Sequence, residues 1–112
     1  GRGDVGKRDR IIEQYNKTVL GAYEDVNNQL LRVKTNWETI KLDDANLKSQ
    51  TELLTRNGQR LNLGTISKYD YTKAKYSWLT QSLYNSQQHY NLYSQQLDLI
   101  NSLGGAYGIE TN

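Results

Sequence analysis

Hydrophobic residues in this chain fall into two heptad-patterned stretches on either side of one short turn. In the first stretch Ile12, Val19, Val26, Val33, Ile40, Leu47, Leu54 and Leu61 recur at a strict seven-residue interval. Tyr15 and Ala22 early, then Leu30 and Trp37, supply the three-four alternation of a coiled-coil seam. In the second stretch Tyr69, Tyr76, Leu83, Tyr90 and Leu97 form one such row. Leu79, Tyr93 and Ile100 lie on its companion, with Thr72 and Ser86 as polar members. A third row, Tyr71, Trp78, Leu92 and Leu99, is broken only by Asn85. A seven-residue period sustained this long drifts against the 3.6-residue helical turn and implies left-handed supercoiling on neighbours.

Between the stretches lies Leu63-Gly64-Thr65-Ile66-Ser67. Gly64 can take the positive φ that ends a helix. Ser67 then opens a Ser-x-x-Asp pattern with Asp70, so its hydroxyl can accept from an orphan N–H while Asp70 complements the helix dipole. The pattern predicts an all-α, long antiparallel helical hairpin. Its parts are a flexible N-terminal segment over 1–8, a long helix over 9–62, a tip turn over 63–67, a returning helix over 68–103, and a C-terminal exit segment over 104–112. At about 1.5 Å per residue the helices would run roughly 80 Å and 54 Å. Gly58, inside the first, costs about 1 kcal/mol of helix propensity.

Composition sharpens this picture. The 112 residues include no proline, cysteine, methionine or phenylalanine, but nine tyrosines and two tryptophans. Without proline nothing forces a helix interior to break. A hydrophobic content of 36% is thin for a thick globular core. Zero cysteines exclude a disulfide framework, and a single histidine argues against a protein-only zinc site. A net charge of +2 leaves no field to steer the chain toward nucleic acid. No apolar run approaches the roughly 18 residues of a membrane-spanning helix. No catalytic constellation and no cofactor or metal site is expected: His89 sits in a polar stretch, and Asp43-Asp44 with Glu38 reads as a solvated acidic patch.

The second stretch is also short of charge. Between Lys68 and Leu103 only Lys68, Asp70, Lys73, Lys75 and Asp98 are charged. Three apolar or aromatic rows exceed what one partner helix covers, so the second helix is expected to have neighbours on two sides, as a stave does in a barrel.

Arg60-Leu61-Asn62-Leu63-Gly64-Thr65-Ile66-Ser67-Lys68-Tyr69-Asp70-Tyr71, followed by Ala74, resembles the periplasmic tip of the TolC-like outer membrane efflux proteins. Tyr15-Asn16-Lys17-Thr18-Val19-Leu20, with Ala22 and Glu24-Asp25-Val26, is similar to the start of that family's long helix. Leu99-Ile100-Asn101-Ser102-Leu103-Gly104-Gly105 is similar to the end of its returning helix. The resemblance spans about Tyr15 to Gly105 and is closest to the helical part of the C-terminal repeat.

That resemblance implies a periplasmic location in a Gram-negative cell. It implies a homotrimer whose long helices form a tunnel, serving as the exit duct of a tripartite pump or type I secretion system. The implied partners are a periplasmic adaptor and an inner-membrane pump. The membrane is met only through β-barrel strands, which this chain lacks, so a fragment of a longer protein is expected. Leu63, Gly64 and Thr65 match the adaptor-binding tip. Asp70, with Leu61 and Ile66, matches the tunnel entrance. The family often has a second acid where Lys73 stands, an aromatic in place of Leu61, and can have a basic residue in place of Ile66. The rival readings are a self-contained coiled-coil scaffold, which needs no Gly-Thr tip, and a secretion-needle subunit, which polymerises without closing.

Overall fold

The computed structural model describes residues 2–107. Two helices account for nearly all of them: α1, Arg2–Asn62, and α2, Lys68–Tyr107. They form an antiparallel helical hairpin, and no strand occurs among the described residues.

The helices extend further than the sequence predicts at both chain ends. Residues 2–8, expected as a flexible segment, are the first turns of α1. Gly3 and Gly6 lower helix propensity there without stopping the i→i−4 ladder, and Asp4 in the first turn suits the dipole. Likewise α2 does not end at Leu103 but runs through Gly104 and Gly105 to Tyr107. None of the described residues near this end has the positive φ that would terminate it. The rest of the expected exit segment, 108–112, and Gly1 lie outside the described residues.

The hairpin divides into two compact units. Among the described residues, one joins 34–94 around the turn; the other joins 2–33 with 95–107. In the turn unit the α1 row behaves as its spacing predicts: Ile40 is 5% exposed, and Leu47, Leu54 and Leu61 are half-buried. The row beside it is polar. Asn36, Asp43, Gln50 and Asn57 are half-buried at seven-residue intervals. On α2 the inward row is Tyr71, Trp78, Asn85 and Leu92, flanked by Ala74, Gln81 and Gln88. The row interrupted by Asn85 is therefore the one that faces α1. The Tyr69 and Leu79 rows, together with Trp37, remain exposed.

Two further contacts fix the pairing in this unit. The Trp78 indole Nε1 donates to Thr51 Oγ1 at 2.8 Å. The same hydroxyl donates to the Leu47 carbonyl, also at 2.8 Å, so neither polar group is left unpaired. Nearer the turn, the Tyr71 ring lies against Gly58: a Cβ built there would meet Tyr71 Cε2 at 3.7 Å. Gly58 itself stays helical, and the helix is continuous to Asn62.

In the other unit Val26, Leu99 and Gly104 are buried, with Val33 and Leu103 half-buried. Ile12 and Val19, the first members of the α1 row, are exposed, as are Tyr15, Ala22 and Leu30. Gln29 lies on the polar flank in this unit, and its side-chain Oε1 is buried without a hydrogen-bond partner. A buried acceptor left unpaired costs on the order of 1–3 kcal/mol.

Candidate functional site

Two places concentrate the polar chemistry of the turn unit: the tip, and a clasp of five side chains midway along the helices.

The tip is built by the backbone. Gly64 has φ +74°, in the left-handed region that side-chain-bearing residues adopt at a cost. The Thr65 N–H donates to the Arg60 carbonyl at 2.9 Å and the Gly64 N–H to the Leu61 carbonyl at 3.0 Å. That six-to-one, five-to-two pair is a Schellman motif, which satisfies carbonyls otherwise orphaned at a helix end. Thr65 Oγ1 adds a second donor to the Arg60 carbonyl at 3.1 Å. Three residues on, Ser67 Oγ accepts from the Asp70 N–H at 3.0 Å, and the Ser67 carbonyl accepts from Tyr71 N–H to start α2.

The turn thus places the residues singled out in the sequence. Leu63, Gly64 and Thr65 are exposed on its outer surface, Leu63 at 78%. Leu61 and Ile66 sit half-buried beneath them, and Asp70 is exposed on the first turn of α2. An exposed leucine beside a glycine with no side chain is a shallow apolar knob with accessible backbone. Nothing lies within 4 Å of a Cβ built on Gly64, so the glycine is required by its dihedral and not by crowding.

The clasp was not legible as a site. Asp43 and Asp44 on α1 meet Gln81, Asn85 and His89 on α2, which stand four residues apart and so share one face. The Asn85 side-chain amide donates to both carboxylates, at 2.9 Å to Asp43 Oδ2 and 2.7 Å to Asp44 Oδ1. Gln81 Nε2 donates to Asp43 Oδ1 at 2.9 Å. His89 Nε2 lies 2.7 Å from Asp44 Oδ1; since an ionised carboxylate only accepts, that nitrogen carries the proton. Asn85 is 8% exposed, while the His89 and Asp44 side chains are open to water. Asp43 and Asp44 are therefore not a free solvated patch, and His89 is a helix–helix contact residue. Counting back from the Gly64 turn would have set Asn85 opposite Asp44; that correspondence was the available signal.

Chemically the clasp is a lock. Its carboxylates are occupied by amide and imidazole donors, and a buried asparagine in a coiled-coil seam specifies register at some cost in stability. Among the described residues no group of three or more His, Cys, Asp or Glu could hold a metal ion.

The clasp has a pH signature. The Asn85 amide, then the His89 ring, hold the Asp44 carboxyl below its ordinary value, with burial opposing slightly. A depressed folded-state pKa contributes stability that is present above the unfolded value, about 3.9, and is lost as pH falls through the folded one. Wild type should therefore be more stable than Asp44→Asn at neutral pH. Thermal melts should show that gap closing below about pH 3.9; a gap independent of pH would mean that Asp44 is not ionised in the clasp.

No helix among the described residues is long and apolar enough to cross a membrane. Comparison with protein-family models, curated proteins and solved structures finds no match to this chain.

Proposed function

We propose that this chain is the periplasmic helical hairpin of a TolC-like outer membrane export protein. The hairpin acts as a passive stave in a trimeric tunnel and docks a periplasmic adaptor through its tip. The adaptor in turn couples the tunnel to an energised inner-membrane pump that moves small molecules or proteins. The observation that carries this reading is the tip: Leu63 stands out beside Gly64, whose φ of +74° presents backbone with no side chain in the way. A scaffold that used only its seams would have no need of that surface.

Two features support it further. The Tyr69 and Leu79 rows of α2 and Trp37 of α1 are left exposed by the hairpin's own pairing, as a stave with neighbours on both sides requires. The half-buried polar rows between the helices leave the hairpin weakly self-sufficient, so burial against neighbours is where most apolar area would be removed from water. In this reading Leu63, Gly64 and Thr65 meet the adaptor, while Asp70, Leu61 and Ile66 line the entrance, where a ring of Asp70 carboxylates would favour cations.

Gly64→Val tests the reading. A β-branched residue at this φ costs about 1–3 kcal/mol and puts a side chain on the contact surface. Export by the full-length protein in cells should fall to background while its abundance stays near normal. Unchanged export would remove the tip from the mechanism.

A further inference from the structure

The chain's net charge of +2 is unevenly spread. From Arg56 to Lys75, the stretch that closes the hairpin, five Lys or Arg stand against a single acid, a net charge of +4 that leaves the rest of the chain at −2. Arg56, Arg60, Lys68, Lys73 and Lys75 are all exposed. Lys73 Nζ lies 5.4 Å from the Tyr69 ring centroid, on a row that a neighbouring stave would cover in the tunnel, and is set aside. Of the other four, Arg60 Nη1 donates to Asn57 Oδ1 at 3.4 Å. Among the described residues none of the four is in an ion pair. Uncompensated cations gathered at one end of a hairpin make a local field that the net charge of the whole chain conceals.

The four form a collar behind the tip. Arg56 and Arg60, four residues apart, share one side of α1, and Lys68 and Lys75, seven apart, share one side of α2. Asp70, the acid of this stretch, is two residues from Lys68 and so roughly 200° round the helix from it. It faces away from that pair and stays available to the entrance. Arg56 stands six residues before the end of α1 and Lys75 seven after the start of α2. At about 1.5 Å per residue both lie roughly 10 Å behind the Leu63 knob. A flat anionic surface that touches Leu63 leaves them about one screening length away, roughly 8–10 Å. A concave surface reaches them.

We infer that the tip is recognised by charge as well as by shape: its partner presents an acid-walled socket, whose carboxylates meet Arg56, Arg60, Lys68 and Lys75 while an apolar floor receives Leu63. This rests on the tip-docking reading and names the partner's chemistry. Carboxylates suit all four cations, bidentate on a guanidinium and singly on an ammonium. Opposite charge across the contact speeds encounter and fixes the orientation of the hairpin in the socket. It also disfavours a second copy of the chain, whose tip carries the same sign.

The test uses the full-length protein. The adaptor captured from Thr65→Cys in cells is purified, and its affinity is measured for wild type and for the combined variant Arg56→Gln, Arg60→Gln, Lys68→Gln and Lys75→Gln. Glutamine has a helix propensity close to that of Lys and Arg, and circular dichroism checks that the helix is retained. Affinity should fall about tenfold or more, as expected for four exposed charge pairs lost together. Wild-type binding should weaken as salt is raised, and binding by the variant should not. Arg56→Lys with Arg60→Lys keeps the charge and should bind nearly as wild type does. Undiminished affinity in the glutamine variant, or wild-type binding indifferent to salt, overturns this inference and leaves tip docking standing. Capture of no adaptor from Thr65→Cys overturns tip docking and this inference with it. If the four glutamines leave the adaptor's affinity unchanged but abolish binding to phosphatidylglycerol vesicles, the collar reads lipid and the inference is overturned.

Discussion

Replacing Asn85 with alanine is expected to lower the unfolding free energy by about 2–3 kcal/mol, the range for hydrogen bonds to charged acceptors lost without replacement. Asn85 is buried, and its one amide reaches both Asp43 Oδ2 and Asp44 Oδ1. Alanine leaves both carboxylates short of a donor in a half-buried seam and opens a gap beside it. Asp44 is open enough for water to replace part of what it loses, which keeps the figure from rising further. Urea unfolding of Asn85→Ala, Asp44→Asn and the double variant forms a cycle that isolates the pairing. If the two single losses simply add, Asn85 and Asp44 do not act together and the clasp is not a unit. The cycle also separates the lock from ordinary packing, since a cavity at position 85 would cost the same whatever stands at 44.

Ile40→Ala should cost about as much by a different route. Ile40 is 5% exposed, the most buried apolar side chain in the turn unit. Truncating a buried isoleucine removes its transfer free energy and leaves a void, together about 2–5 kcal/mol. A seam only two helices wide collapses or admits water more readily than a thick core, so the expected loss is in the lower part, about 2–3 kcal/mol. Ile40→Val should cost about 0.5–1.5 kcal/mol. The check is the order of the urea midpoints: wild type above Ile40→Val, with Ile40→Ala lowest. The matched change at Trp37, on the neighbouring exposed row, should be much smaller. Equal losses at 37 and 40 would mean that α1 presents a different face to α2.

These two residues also show where the sequence was readable and where it was not. The hairpin, the Gly64 turn and the Ser67 cap follow from local chemistry: a glycine where a helix must reverse, and a hydroxyl where orphan N–H groups need an acceptor. The α1 row through Ile40 followed from its spacing. On α2 the spacing was ambiguous, because three rows share the period and two of them are as apolar as the third. The inward row turned out to be the one containing Asn85. What selects it is a pairing between residues about forty positions apart in the chain, Asn85 with Asp43 and Asp44, and no local periodicity contains that term. The acidic pair read as a solvated patch for the same reason: its donors come from the other helix. At the chain ends glycine was overweighted. Gly3, Gly6, Gly104 and Gly105 each lower helix propensity, but with no proline in the chain and no left-handed dihedral beside them among the described residues the ladder continues through them.

The tip and the clasp have complementary parts in the turn unit. The Schellman turn fixes the conformation of Gly64, and the clasp fixes which residues of α1 and α2 lie opposite one another in the turn unit. A tip that must meet a partner in one geometry needs its supporting helices held in one register, and a seam half made of Gln and Asn would not ensure this by apolar packing alone. The polar flank is thus consistent with a stave whose stability comes from neighbours and whose register comes from within.

The most direct test of tip docking is a site-specific crosslink in cells. The chain contains no cysteine, so Thr65→Cys in the full-length protein supplies one reactive thiol on this hairpin at the outer surface of the turn. Treatment with a short thiol crosslinker, followed by mass spectrometry, identifies whatever lies within reach. Tip docking predicts capture of a periplasmic adaptor from Thr65→Cys and none from Ser49→Cys, an exposed position along α1. Capture of only a second copy of the chain, or of cytoplasmic proteins, would contradict the docking claim and leave the molecule a register-locked coiled-coil hairpin.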